Sequence, residues 1–312
     1  MRNVTTRKKG KIRKATLQEN LEMLLMVLPG VLLVFTFNYL PLPGIIVAFK
    51  KLNPIKGIFQ SPWNGLKNFE FFFTSQDAVR TIVNTVVYNC AFLILDLITA
   101  VGLALMLYFL KSRRATKVYN TIVILPKFMS MVIISYIVYA FLSPSYGIFN
   151  HVLEGLGLES VNWYTEPKYW PFILTFVHIW QVVGINSVLY YASLMGMDAC
   201  YIEAAKIDGA DLKQQIRYVM IPHLIPTISV VTILAIGHMF SSGLDLFYQV
   251  PRNQGILYST TDTINTYVYR ALLDGSLEKS TAVNLFQSAV GFVLVVTANK
   301  IVKKISPENS LF

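Results

Sequence analysis

The chain has 312 residues, 54% of them hydrophobic and only 14% charged, with a mean hydropathy of +0.52. A soluble domain carries about a quarter charged residues, so this composition excludes one and points to a polytopic helical membrane protein. The net charge of +10 does not argue for nucleic acid, because seven basic residues crowd into the first fourteen positions, directly before an apolar segment, as an orientation signal does.

In chain order, residues 1–19 are a basic segment and the first apolar run follows, with a span expected over 22–42. Basic-then-apolar order imitates a signal peptide. The run Leu24–Phe49 is too long for one and lacks a small-x-small cleavage site, so it reads as a retained span. Five further spans are expected over 82–110, 118–142, 170–194, 224–246 and 282–302. Segments 1–19, 111–117, 195–222 and 300–312 carry 17 Lys or Arg; the longer segments 43–80, 143–169 and 247–281 carry 9. The excess predicts that both termini and the loop at 195–222 are cytoplasmic.

The outer segment 43–80 contains "SPWNGLKNFEFFF", where Trp63, Phe69, Phe71, Phe72 and Phe73 suit an interfacial aromatic belt or a simple anchoring helix. Segments 143–169 and 247–281, rich in Tyr, Asn, Thr and Gly, read as ordered external surface able to meet a partner. No internal repeat and no extramembrane block large enough for a second domain occurs. One membrane domain, 20–304, is expected between the basic segment and a tail at 305–312.

Two charges fall inside expected spans, Asp96 in the second and Lys127 in the third. Helical rise puts them within roughly 7 Å of each other in depth. Intramembrane charges are costly and normally face protein or water, so the two either pair or line a polar path. Pro126 is expected to kink the third span.

The fourth span, "FILTFVHIWQVVGINSVLYYASLMG", carries His178, Gln181, Asn186, Ser187 and Tyr190, and the sixth carries Asn284, Gln287 and Ser288. Such side chains either glue helices together or, as Gln181, Asn186, Tyr190, Asn284 and Gln287 are read here, offer hydroxyl and amide partners to a neutral polyhydroxylated solute. His178 and His238 read as packed or hydrogen-bonded residues rather than ligands, and Cys90 and Cys200 supply neither a disulfide framework nor a metal site.

Enzyme classes fail on residue content. Gly184-Ile185-Asn186-Ser187 lacks the second glycine of an intramembrane serine protease nucleophile, and the sixth span has no histidine to act as its base. Neither His-Glu-x-x-His nor a Gly-x4-Gly-Lys-Ser/Thr loop is present. Any ATPase driving transport must be another polypeptide.

Between spans four and five lies "EAAKIDGADLKQQIRYVMIPHLIP". Residues 199–207 read as a short helix, with Ala204 and Ala205 small enough for another protein to approach closely. Gly209 permits a turn and Asp208 or Asp211 caps a second helix. Leu212, Ile216 and Val219 line one face of that helix, and Pro222 is expected to stop it. An interfacial helix lying among headgroups is the plain alternative, but it gives no reason for the Ala-Ala and Gly positions.

This stretch resembles the EAA loop of the membrane subunits of binding-protein-dependent ABC importers, through Glu203, Ala204, Ala205, Asp208, Gly209, Ile221 and Pro222. "LPGVLLVFTFNYLPLPGIIVAFKKLNPIKG", "SPWNGLKNFEFFF" and "TTDTINTYVYRALL" extend the resemblance to the carbohydrate branch, of the multiple-sugar, aldouronate and rhamnogalacturonan type. Asp96 and Lys127 depart from a generic member. The resemblance implies an all-α, six-helix type I importer permease in a bacterial plasma membrane, importing oligosaccharides with the loop as coupling helix. It further implies a second permease, a cytoplasmic ATPase dimer that binds ATP and Mg, and an extracellular solute-binding protein, with no cofactor on this chain. A permease for another polar solute, or a secondary transporter working without ATP, is the alternative.

Overall fold

The computed structural model describes residues 14–240 and 243–305, so segment 1–13 and the tail at 306–312 lie outside the described residues. Fifteen α-helices make up the described chain: α1 Lys14–Val34, α2 Gly57–Gln60, α3 Lys67–Thr74, α4 Gln76–Tyr108 and α5 Arg113–Phe128. They continue as α6 Met131–Leu142, α7 Ile148–Gly155, α8 Trp170–Met195, α9 Ala199–Ile207 and α10 Leu212–Gln215. The last five are α11 Ile221–Gly237, α12 Leu244–Gln249, α13 Tyr258–Thr261, α14 Ile264–Leu273 and α15 Leu277–Ile305. No strand ladder forms among the described residues, only one bridge between Lys50 and Trp63.

Five helices are long and apolar enough to cross a membrane, or six if α5 and α6 count as one span. That third span is not the single kinked helix expected over 118–142. Its halves meet at 98°. Pro126 sits in the last turn of α5, Met129 turns extended, and Ser130 opens α6 by accepting the Ile133 amide, so the backbone is capped twice within two residues.

The fifth span also departs from expectation. Pro222 does not end the second elbow helix; the helix runs from Leu212 through it to Gly237. A π-turn over Ile216–Met220 makes this continuity workable, with the Ile221 amide bonding to the Ile216 carbonyl. One extra residue in the turn re-spaces the hydrogen bonds just before the proline ring and its missing donor. At its other end the span stops at Gly237, short of the expected 246, and residues 244–249 form the separate helix α12.

The first span covers Asn20–Phe49 and none of its apolar window is buried in this chain. The aromatic segment splits by role. Phe72 is buried in a core with Ala78, Phe240, Ile264, Val268 and Val283, whereas Trp63, Phe71 and Phe73 remain exposed.

Helices α4 and α8 form the centre, with α5 against α8 on one side and α11 on the other. Tyr88, Phe92, Asp96, Ala100 and Ala104 recur every fourth residue along α4, and Leu174, His178, Asn186, Tyr190 and Leu194 keep the same phase along α8. Such stripes meet face to face when two helices pack. Their ends belong to two apolar cores, one around Phe92, Trp170, Leu174 and Phe247, the other around Ala100, Ala104, Tyr190 and Leu194. The polar residues lie between.

Candidate functional site: an elbow and a polar layer

The elbow follows from local chemistry. Asp198 caps α9 by accepting the Cys200 amide at 3.0 Å, a bond that holds its carboxyl below the usual range; the adjacent Cys200 thiol is raised beside that carboxylate. Helix α9 then ends in a Schellman motif. Gly209 adopts φ +78°, its amide bonds to the Lys206 carbonyl at 3.1 Å, and the Ala210 amide reaches back to Ala205 at 2.9 Å. Asp211 and Gln214 form a reciprocal capping box at the start of α10, with both bonds at 2.7 Å. Of the two aspartates proposed as caps, Asp211 is the one that caps.

On the outer face of this elbow, Glu203, Ala204, Asp208 and Gly209 are exposed, Ala205 is partly buried, and Ile207 is 86% exposed. Ile202 points the other way. It is buried among Ala100, Ala104, Tyr190, Leu194, Met197, Met220 and Leu224, drawn from α4, α8 and the fifth span. Ile202 therefore pegs α9 into that apolar core. Sequence reading missed Ile202, although an isolated isoleucine opposite the polar face of α9 was a usable signal.

The polar layer lies farther along α4 and α8. Asp96 Oδ2 and His178 Nε2 are 3.0 Å apart, and the His178 ring stacks on Phe92 with centroids 3.8 Å apart and planes 7° from parallel. The second oxygen, Asp96 Oδ1, is buried with no hydrogen-bond partner among the described residues. It supplies acceptor capacity that the chain itself leaves unused.

Asp96 lines two cavities. One of about 160 Å³ is walled by Phe92, His178 and His238; the other, about 50 Å³, is walled by Asn186, Tyr190 and Thr232. Both are smaller than the roughly 300–1,000 Å³ of typical ligand pockets, so neither of the two encloses a sugar chain.

The expected residues separate here. Asn186 and Tyr190 share a cavity with Asp96, and His178 closes the other. Gln287 belongs elsewhere: it is buried and donates to the Phe240 carbonyl and to Asn265 Oδ1, fastening α15 to the end of the broken fifth span. Asn284 is exposed on α15, and Gln181 is partly buried outside both cavities. The pairing of Asp96 with Lys127 does not form. Asp96 is taken by His178, and Lys127, just ahead of the break in the third span, is exposed. Ser187, the nearest thing to a nucleophile, is buried and donates to the Gly184 carbonyl.

A second buried charge escaped sequence reading. Asp262, with no side-chain exposure, accepts from Arg80 at 2.8 Å, Arg270 at 2.7 Å and Thr266 at 2.8 Å, tying α4 to α14 at the end remote from the elbow. Within a segment read as polar external surface, nothing marked this aspartate as buried.

Comparison with known proteins follows the same architecture. Residues 98–305 match the family model described as binding-protein-dependent transport system inner membrane component. Protein LplB of Bacillus subtilis is 30% identical, over 98% of this chain and 96% of that protein. The polygalacturonan/rhamnogalacturonan transport system permease protein YteP of the same organism is 32% identical, over 91% and 88%. Among solved structures, a bacterial ABC transporter involved in the import of the acidic polysaccharide alginate superposes with a TM-score of 0.84 at 32% identity, covering 93% of this chain and 97% of that one. A bacterial alginate ABC transporter in complex with alginate pentasaccharide-bound periplasmic protein matches at 31% identity with a TM-score of 0.84, covering 95% of this chain and 99% of that one.

Proposed function

The chain belongs to the family of binding-protein-dependent transport system inner membrane components, and from that premise we propose that it imports oligosaccharides released from complex polysaccharides. Relatives named for polygalacturonan/rhamnogalacturonan transport and for alginate import support the substrate class. The partners of the complex are a second permease, an ATPase pair that holds ATP and Mg, and an external solute-binding protein. The unburied first span, apolar over its length, suits packing against the second permease.

The observation that carries the mechanism is Ile202. Its core also holds Tyr190, which walls the cavity beside Asp96. A push on the exposed side of α9 is thus delivered to α4, α8 and the fifth span through close-packed side chains, which transmit displacement because the interior has few voids. The ATPase docks on Glu203, Ala204, Ala205, Asp208 and Gly209, and its closure on ATP moves α9. Ile221 and Pro222, inside the continuous helix, carry that movement into the fifth span. Asn186, Tyr190 and the free oxygen of Asp96 offer hydrogen bonds to sugar hydroxyls once the helices part. In this reading the open route runs between this chain and the second permease, a reading supported by the small volume of both cavities.

In this reading the elbow and both chain ends face the cytoplasm. Reporter fusions after Arg114 should report cytoplasm and fusions near Glu166 the outside; the reverse result would overturn the arrangement. The functional test is ATP-driven uptake of labelled oligosaccharides by the complete complex in proteoliposomes. Uptake that persists without the ATPase would establish a secondary transporter instead.

A further inference from the structure

Lys127 is a charge that none of the foregoing uses. It lies in the last turn of α5, ten residues beyond Lys117 and so about 15 Å deeper along the helix. That is beyond the reach of a lysine side chain to the elbow-side interface.

Helical spacing says which way it faces. Thr116, Asn120, Val123 and Lys127 share one face of α5, and the first three are buried or partly buried. The opposite face carries Val118, Ile122 and Leu125, which are 55%, 58% and 61% exposed. Lys127 therefore continues the face that packs on α8. One turn earlier, Val123 lies so close to α8 that a β-carbon on Gly184 would overlap its carbonyl. Beyond that crossing the chain breaks at Met129–Ser130 and Lys127 is left exposed.

No carboxylate lies within ion-pairing distance of Lys127 among the described residues, and Asp96, the other charge singled out at this depth, is bonded to His178. A lysine at such depth is costly in hydrocarbon. An ammonium on the packing face, past the point where packing ends, is placed for water and an anion rather than for lipid.

We propose that Lys127 is an anion-recognition site on the translocation route, contacting the carboxylates of acidic oligosaccharides as they pass. The inference rests on the oligosaccharide reading above and narrows it to uronate-containing chains. A neutral sugar needs only hydroxyl and amide partners, which Asn186 and Tyr190 already provide. A fixed cation without a counter-charge attracts a carboxylate and gives a neutral chain nothing further. Gln181, about one turn beyond Gly184 on α8, lies at a similar depth and adds an amide to the same region.

The test uses the complete complex in liposomes of uncharged lipid. It compares uptake of oligogalacturonates of two to four residues with their fully methyl-esterified forms, which keep the backbone and lose the charge. Binding of both sugars to the isolated solute-binding protein is measured first, so that its own preference can be divided out. Wild type should favour the acid. Lys127→Gln should lower acid uptake about tenfold, equivalent to 1.4 kcal/mol, and leave ester uptake within about twofold, while Lys127→Arg keeps the acid preference. Equal losses for both sugars, or failure of Lys127→Gln to assemble with the second permease while Lys127→Arg assembles, would overturn the assignment; the latter would mean that a carboxylate of that permease pairs with Lys127. A wild-type complex that favours the ester overturns it too. Wild type that takes up neither sugar removes the oligosaccharide reading itself.

Discussion

At the elbow, Gly209 holds φ +78° and has open space where a β-carbon would project; at the crossing of α5 and α8, Gly184 is an ordinary helical residue whose β-carbon would collide with the Val123 carbonyl. One glycine is required by its own backbone and the other by a helix sixty-one residues away in the chain. The two regions divide in the same manner. The elbow is a chain of neighbours: Asp198 caps on Cys200, Ala205 bonds Ala210, Asp211 bonds Gln214. The polar layer is a set of strangers, with Asp96 meeting His178 across eighty-two positions. Local turn chemistry makes an element that holds its shape while being pushed. Long-range packing makes one whose contacts change when helices slide. The proposed coupling of elbow to polar layer would draw on both, and Ile202 joins the two regions.

Gly184→Leu attacks the crossing and should do the most damage. Backbone cannot yield as a side chain can, so the overpacking penalty should exceed the usual 1–3 kcal/mol. Folded, assembled permease recovered in detergent should fall at least several-fold; normal recovery would mean that the crossing is looser than described.

Ile202→Ala should come next, removing the peg at a cost of about 2–5 kcal/mol for a well-packed site. The ATPase should still co-purify, because the outer face of α9 is unchanged, while sugar-stimulated hydrolysis and uptake separate. Intact coupling in this variant would show that movement reaches the membrane by another route.

Gln287→Ala tests whether that residue is glue. It strands a buried Phe240 carbonyl, at about 1–3 kcal/mol, so thermal stability should drop while uptake per folded complex stays near normal. Asn284→Ala, exposed on the same helix, should change stability little. If Gln287→Ala instead spares stability and abolishes uptake, the residue belongs to the sugar path after all.

Gly209→Val should have the smallest effect on the fold, about 1–2 kcal/mol for a left-handed residue with a β-carbon, and that effect should be confined to the elbow. Co-purified ATPase per permease is the readout. Gly209→Asn should restore most of the docking, since asparagine tolerates this conformation and nothing crowds the position. Loss in both variants would point to a steric requirement of the docking partner rather than to backbone conformation.

The sequence alone determined the helical membrane class, most span positions and the elbow, down to the bounds of α9, the turn at Gly209 and an aspartate, Asp208 or Asp211, capping the helix that follows. These depend on hydrophobic length, helical period and turn residues, each contained within about twenty consecutive positions. Tertiary structure alone decided the 98° break of the third span, the passage of the fifth helix through Pro222, and the buried triad at Asp262. It also decided partners: Gln287 bonds the Phe240 carbonyl, Asp96 took His178 rather than Lys127, and Lys127 was left exposed. A side chain's type states which bonds it needs, but its partner is chosen by whichever helix the packing brings beside it.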